Sequence, residues 1–195
     1  MTQTIFFVRH GRTLWNQTGR IQGTSDIPLS LEGVQQSETV TQRLIMLQPE
    51  VVVSSDLQRA VQTAKIISSE LRLPFFESSM LRERDLGIFD GMTYQELTAE
   101  RIRRGASTEN PSLDWTCFPE VETDIQVANR VVTLLAEIVS KHKNPCLVTH
   151  AGVIHSFLSC FTELGKDANK IHIPTGSVCV CKQADSQFQF QELIK

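Results

Sequence analysis

Short β-branched and aromatic runs alternate along this chain with longer stretches in which apolar residues recur every three or four positions. Residues 4–8 (TIFFV), 51–53 (VVV) and 145–149 (PCLVT) are short, continuous apolar runs, and each predicts a buried strand. Residues 73–77 predict a short edge strand, where Pro74 is tolerated because an edge does not need its missing N–H. The helical period predicts a helix over 31–47, with Ser30 as N-cap and Leu31, Val34, Leu44 and Leu47 toward the core. A second spans 56–71, because Leu57, Ala60, Val61, Ala64 and Ile67 share a face. The longest apolar stripe, Ile125, Ala128, Val131, Val132, Leu135, Ile138 and Val139, predicts a helix over 124–142. A further helix over about 153–161 and two antiparallel strands over 177–182 and 187–193 complete the pattern.

Strands alternating with helices imply an α/β sandwich around a mainly parallel sheet. Residues 86–122 break the rhythm. They are rich in charge, Gly and Pro, and are expected to form an insertion over the sheet edge. The 195 residues suit a single domain over 1–195, and a hydrophobic share of 41% places it among globular chains. A net charge of −3 gives no reason to expect nucleic acid as a partner, yet leaves room for a local basic pocket. The apolar run at 5–8 ends at Arg9 and His10, too short for a signal-peptide core or a membrane span, and no later run is longer. Five scattered cysteines, Cys117, Cys146, Cys160, Cys179 and Cys181, form no CxxC pair and predict reduced, buried thiols in a cytoplasmic protein. Cys179 and Cys181 would share one strand face.

Ligands of open α/β sheets bind beyond the carboxyl ends of the strands. Arg9-His10-Gly11 follows the first strand, Ser54-Ser55-Asp56 the second with Arg59 soon after, and His150-Ala151-Gly152 the later one. Should these strands be neighbours, two histidines and two arginines converge. Two guanidinium groups in one place need an anion, and a phosphoryl group matches their paired donors. Neutral imidazole is nucleophilic, so His10 could accept phosphoryl without an activating base. Arg9, Arg59 and His150 would clamp the non-bridging oxygens. A carboxyl in the segment LRERD (81–85), either Glu83 or Asp85, could protonate the leaving oxygen. No carboxylate or Cys stands at ligand spacing beside His10 or His150, so no metal site is expected there.

Five segments carry a resemblance: VRHGRTLWN (8–16), IQGTSDIPLSLEG (21–33), SSDLQRAVQTA (54–64), LRERDLGIFDG (81–91) and VTHAGVI (148–154). In this order they resemble the histidine phosphatase superfamily, the group of phosphoglycerate mutases and related phosphatases. The resemblance implies a phosphoglycerate mutase-like three-layer α/β/α sandwich with a mixed, mainly parallel sheet, and no metal or other cofactor. It implies that His10 is phosphorylated and that Arg9, Arg59 and His150 complete a phosphate pocket lined by Asn16, Gly23 and the backbone donor of Ala151. It matches Glu83 rather than Asp85 to the acid/base position, and it makes 86–122 a cap over the site. The expected activity is hydrolysis of a small-molecule phosphomonoester through phosphohistidine.

The chain also departs from the family. Mutases carry a Tyr three residues after the acid, where Leu86 stands here, and have a longer basic cap. Both differences favour a phosphatase. A mutase and a phosphate-recognising regulatory domain without turnover are the alternatives; the latter would not need a proton donor. Asp90 replaces a frequent Glu, and Ala151 a frequent Gly. Arg101, Arg103 and Arg104 are expected on a solvated helix face, with contact to a distal substrate charge as the sharper alternative. Trp115 and Phe118 are expected to close the insertion onto the domain, with lining of the substrate pocket as the alternative, and His142, His155 and His172 to be structural.

Overall fold

Among the residues that the computed structural model describes (2–105, 115, 118–185 and 187–195), six strands form one sheet. They are β1 (Gln3–Arg9), β2 (Val51–Ser54), β3 (Phe75–Glu77), β4 (Pro145–Thr149), β5 (Val178–Ala184) and β6 (Gln187–Ile194), in the order β3-β2-β4-β1-β5-β6. The first four in that order are parallel, β5 pairs antiparallel with β1, and β6 pairs antiparallel with β5. The helices are α1 (Leu14–Gln17), α2 (Leu31–Leu47), α3 (Gln58–Leu71), α4 (Tyr94–Arg103), α5 (Asp124–Val139) and α6 (Ala151–Phe161).

The continuous apolar strands are buried on both faces because successive side chains enter two different cores. Ile5 and Phe7 of β1, Val51 and Val53 of β2 and Leu147 of β4 pack with α5 and α6 residues such as Val131, Leu135, Ile154 and Phe157. Phe6 and Val8, Val52, and Cys146 and Val148 face the other way, toward Val40 and Leu44 of α2 and Ala60, Ala64 and Ile67 of α3. The result is the expected three-layer sandwich. Phe157 anchors the first core, with its ring centroid 4.7 Å from that of Phe7 and 5.0 Å from that of Phe188.

Helix α2 spans the expected residues, and the Ser30 hydroxyl accepts from Gly33 N as its cap. Its buried face is different from the expected one. Leu31 is 87% exposed, Val34 and Leu47 are half-buried, and the buried stripe is Gly33, Ser37, Val40, Thr41 and Leu44. The cause is a close backbone approach: a Cβ on Gly33 would overlap the Arg12 carbonyl, and one on Gly11 the Gly33 carbonyl. Small residues let the loop after β1 lie against the first turn of α2, and the helix turns that side inward.

Helix α5 is rotated in the same way. It buries Val127, Ala128, Val131, Leu134 and Leu135, leaves Ile125 50% exposed, and ends at Val139 rather than at 142. Helix α3 begins at Gln58, two residues later than expected, after Leu57 as N-cap, and Val61 is only half-buried. Helix α6 begins two residues earlier than expected, directly after His150.

The segment following Glu83 has its own small core of Leu86, Phe89, Leu97, Trp115, Phe118 and Val121, against which Ile21 and Met92 pack. Phe89 lies 4.9 Å from Phe118 and 5.7 Å from Trp115, so these aromatics build the segment's own core. Cys117 lies outside the described residues. Cys146, Cys160, Cys179 and Cys181 are free thiols, and Cys179 and Cys181 share the first core. Among the described residues, no helix is long and apolar enough to cross a membrane.

Candidate active site

β1 and β4 are adjacent and parallel, with Arg9 in register with Thr149. The next residue of each strand is a histidine, so sheet register alone sets His10 beside His150. The His10 amide donates to the Thr149 carbonyl at 3.0 Å, and the two ring centroids lie 5.0 Å apart. β2 pairs with the other side of β4, and Arg59, in the first turn of α3, reaches the same place.

Arg59 is wholly buried. Its Nε–H donates to His150 Nδ1 at 3.2 Å, and its terminal nitrogens donate to the carbonyls of Ser25 at 2.7 Å and Gly23 at 2.8 Å. Among the described residues, three of the five N–H donors of the guanidinium are engaged and two remain. Burial lowers its pKa to about 10, with Glu83, Asp90 and Asp26 opposing the shift, so the group stays cationic at neutral pH.

These bonds define the protons on both imidazoles. A carbonyl only accepts, and His10 Nδ1 lies 2.7 Å from the Gly11 carbonyl, so Nδ1 carries the proton and Nε2 keeps a lone pair. An arginine N–H only donates, so His150 Nδ1 is the acceptor and Nε2–H the donor. That Nε2 is buried with no hydrogen-bond partner among the described residues. Burial is the main cause that holds both histidines well below the usual imidazole pKa, and the nearby Arg59 and Arg9 add to it.

Arg9 donates to the Ile173 carbonyl at 2.6 Å, and its buried Nε has no partner among the described residues. Glu83 is buried; its Oε1 accepts from Arg84 N at 2.8 Å and its Oε2 from Gly152 N at 3.0 Å. The carboxyl therefore lies against the first turn of α6, two residues past His150. A Cβ on Gly152 would overlap Glu83 Oε1. Ala151 opens α6, where the first amides have no acceptor within the helix. Asp85 is occupied elsewhere, its Oδ1 accepting from Gly87 N at 2.9 Å.

Gly23 lies against Arg59, with its own N–H engaged by Asp90 at 2.8 Å. Asn16 has no bond to the histidine cluster. Its Oδ1 accepts from Thr13 N at 3.0 Å in the capping box of α1. Of the basic run, Arg103 and Arg104 are exposed, as expected, and Arg101 is half-buried. Arg103 and Arg104 pair with Glu100, Arg104 also with Glu120, and the Arg101 guanidinium lies 5.6 Å from the Trp115 ring centroid. His155 Nε2 lies 2.9 Å from the Ile171 carbonyl.

Sequence reasoning missed four supports: Thr63, whose hydroxyl accepts from Gly11 N at 3.0 Å; the Ile173 carbonyl on Arg9; Ser25; and Gly152. Only Gly152 carried a signal, as a glycine beside a candidate histidine. Among the described residues, no group of three or more His, Cys, Asp or Glu is arranged to hold a metal ion.

Two buried imidazoles and two arginines thus gather at the carboxyl edge of the sheet. The chain belongs to the histidine phosphatase superfamily (branch 1), whose pattern matches residues 5–194. It is 34% identical over 166 residues to the probable phosphoglycerate mutase GpmB of Proteus mirabilis, covering 84% of this chain and 76% of that one. It is 38% identical over 166 residues to phosphoglycerate mutase-like protein 4 of Arabidopsis thaliana, covering 78% and 68%. Among solved structures it is similar to a mycobacterial glucosyl-3-phosphoglycerate phosphatase in complex with VO3, at 27% identity and a TM-score of 0.81 over 97% of both chains. A phosphoglycerate mutase from Bacillus anthracis, at 21% identity over 98% and 92% of the chains and a TM-score of 0.84, shares the fold.

Proposed function

We propose that this protein is a phosphatase that hydrolyses a small phosphorylated metabolite through a phosphohistidine on His10. The observation that carries this reading is the complementary proton arrangement of the paired rings. His10 offers a lone pair at Nε2, and His150 offers a buried, unpartnered Nε2–H.

In the first half-reaction His10 Nε2 attacks phosphorus while the bond to the leaving oxygen breaks. His150, Arg9 and the two remaining N–H groups of Arg59 take the non-bridging oxygens, and the Glu83 carboxyl gives its proton to the leaving oxygen. In the second, water attacks the phosphohistidine, Glu83 takes the proton from that water, and inorganic phosphate leaves with His10 restored. Asn16 and the amide of Ala151 are further donors to the phosphoryl group. Residues 86–122 act as a cap within a single domain; their own aromatic core and the Asp90 bonds to Gly23 and Ser25 support this. The free thiols suit a cytoplasmic setting.

The names of the curated relatives favour a second reading, transfer of phosphoryl within a phosphoglycerate. Against it, Leu86 fills the position of the mutase tyrosine and is buried in the cap core. Rapid quench with labelled substrate is expected to trap acid-labile, alkali-stable label on the wild type and none on His10→Ala. Turnover by the wild type without any label would refute the proposal. Release of inorganic phosphate from phosphoglycerate, rather than an isomer of it, separates phosphatase from mutase.

A further inference from the structure

The loop that holds Arg59 is itself held from the other side of the chain. Asp90 Oδ1 accepts from Gly23 N and Asp90 Oδ2 from Ser25 N, each at 2.8 Å. The same two residues supply the carbonyls that Arg59 binds, at 2.8 and 2.7 Å. Asp90 forms no direct ion pair with Arg59, so one carboxylate and one guanidinium meet through two shared peptide residues. The contact is tight: a Cβ on Gly23 would lie 3.1 Å from the Arg84 carbonyl, 3.2 Å from Leu86 Cβ and 3.3 Å from Asp90 Cγ.

Neighbouring bonds extend the clasp. Gly91 N donates to the Ile21 carbonyl at 3.0 Å, Ile21 N to the Met92 carbonyl at 2.8 Å, and Arg20 to the Gly91 carbonyl at 2.9 Å. We propose that Asp90 is a positioning residue for the phosphoryl site, fixing the 23–25 loop so that Arg59 holds both the anion and the acceptor nitrogen of His150.

Two matched acceptors are required for this. Asn in place of Asp offers one acceptor, and its NH2 would meet a backbone N–H donor to donor, so one amide must turn away. The Arg59 carbonyl partners turn with it. Small misplacements of a binding group cost rate out of proportion to their size. Asp90 is half-buried, so Asn or Ala at this position leaves no cavity in the main core.

The proposal rests on the phosphatase reading for its kinetic arm and only on anion binding for its other arm. The variants D90N, D90A and D90E would be compared with wild type for binding of inorganic phosphate by calorimetry and for kcat and KM with an aryl phosphate, with melting followed in parallel. D90N and D90A are expected to weaken phosphate binding by roughly tenfold and to lower kcat by about 10–100-fold. D90E, which restores two carboxylate acceptors, should recover most of both. In an R59K background, D90N should add little, because the group it positions is already gone. Wild-type phosphate affinity in folded D90N or D90A overturns the proposal, as does a D90N effect that multiplies in full with R59K. Absence of phosphohistidine in the wild type would sink the phosphatase reading alone, since phosphate binding still decides the role of Asp90.

Discussion

Arg59 Nε–H points its proton at His150 Nδ1 across 3.2 Å, and that one bond decides which nitrogen of His150 remains a donor. Without it, His150 could present a lone pair to the anion, which would repel rather than bind. The arginine therefore acts twice in the proposed chemistry, once as a charge and once as the group that selects a tautomer.

Long-range proton–nitrogen NMR on the free enzyme is expected to show His10 protonated at Nδ1 and His150 at Nε2. In Arg59→Lys, which keeps a cation but loses the fork, the His150 signals should shift toward a mixture of tautomers. In the same variant kcat/KM should fall by about 10²–10³-fold, the scale for losing one preorganised transition-state donor. An unchanged His150 spectrum would remove the second role of Arg59.

Burial first, and the charges of Arg59 and Arg9 after it, depress the folded pKa values of His10 and His150 below the ordinary value of about 6.5. The unfolded chain then binds more protons than the folded one in the window below about pH 6.5, so the stability contributed by these neutral rings is complete above it and is lost as pH falls through it. The urea midpoint should drop between pH 7.5 and 5.5, with a smaller drop in His10→Gln. The acid limb of kcat/KM should likewise lie below pH 6.5, because the nucleophile remains neutral there. A limb at or above 6.5 would contradict the burial argument.

Gly152 touches the proposed proton donor both through its amide and through its missing side chain. Gly152→Ala forces the Glu83 carboxyl aside. It should lower kcat at least about tenfold while KM and inhibition by inorganic phosphate move much less, since the anion clamp is untouched. Stability should fall by roughly 1–3 kcal/mol from overpacking. Steady-state kinetics and a thermal melt check both numbers, and a loss confined to KM would argue against Glu83 as the acid.

Much of the architecture was readable before folding was considered. Apolar runs such as IFFV and CLVT predict strands buried on both faces, and they are β1 and β4. Ser30 before a helical period located the start of α2. The orientation of helices was less legible. Leu31 and Ile125 fit the apolar period and yet face solvent, because a period names a stripe while the neighbouring backbone decides which part of it is covered. Gly33 and Gly11 set that choice for α2 through a contact between segments 22 residues apart in the chain.

The same division runs through the site. His10, His150, Arg9 and Arg59 were marked by residue type and by position after strands, and such features are local, whereas only the family resemblance separated Glu83 from Asp85. The clasp of Asp90 on Gly23 and Ser25, the Ile173 carbonyl on Arg9 and the proton positions on the two imidazoles are not local.

By itself, then, the order of residues determined the strands, the helices α2, α3, α5 and α6, and that the sheet is mainly parallel, while the adjacency of β1, β4 and β2 brought the two histidines and two arginines together. Tertiary structure alone decided which N–H meets which acceptor. Hydrophobic periodicity acts over a few residues and tolerates shifts of an ångström, whereas a hydrogen bond joins remote segments and is lost over that same distance.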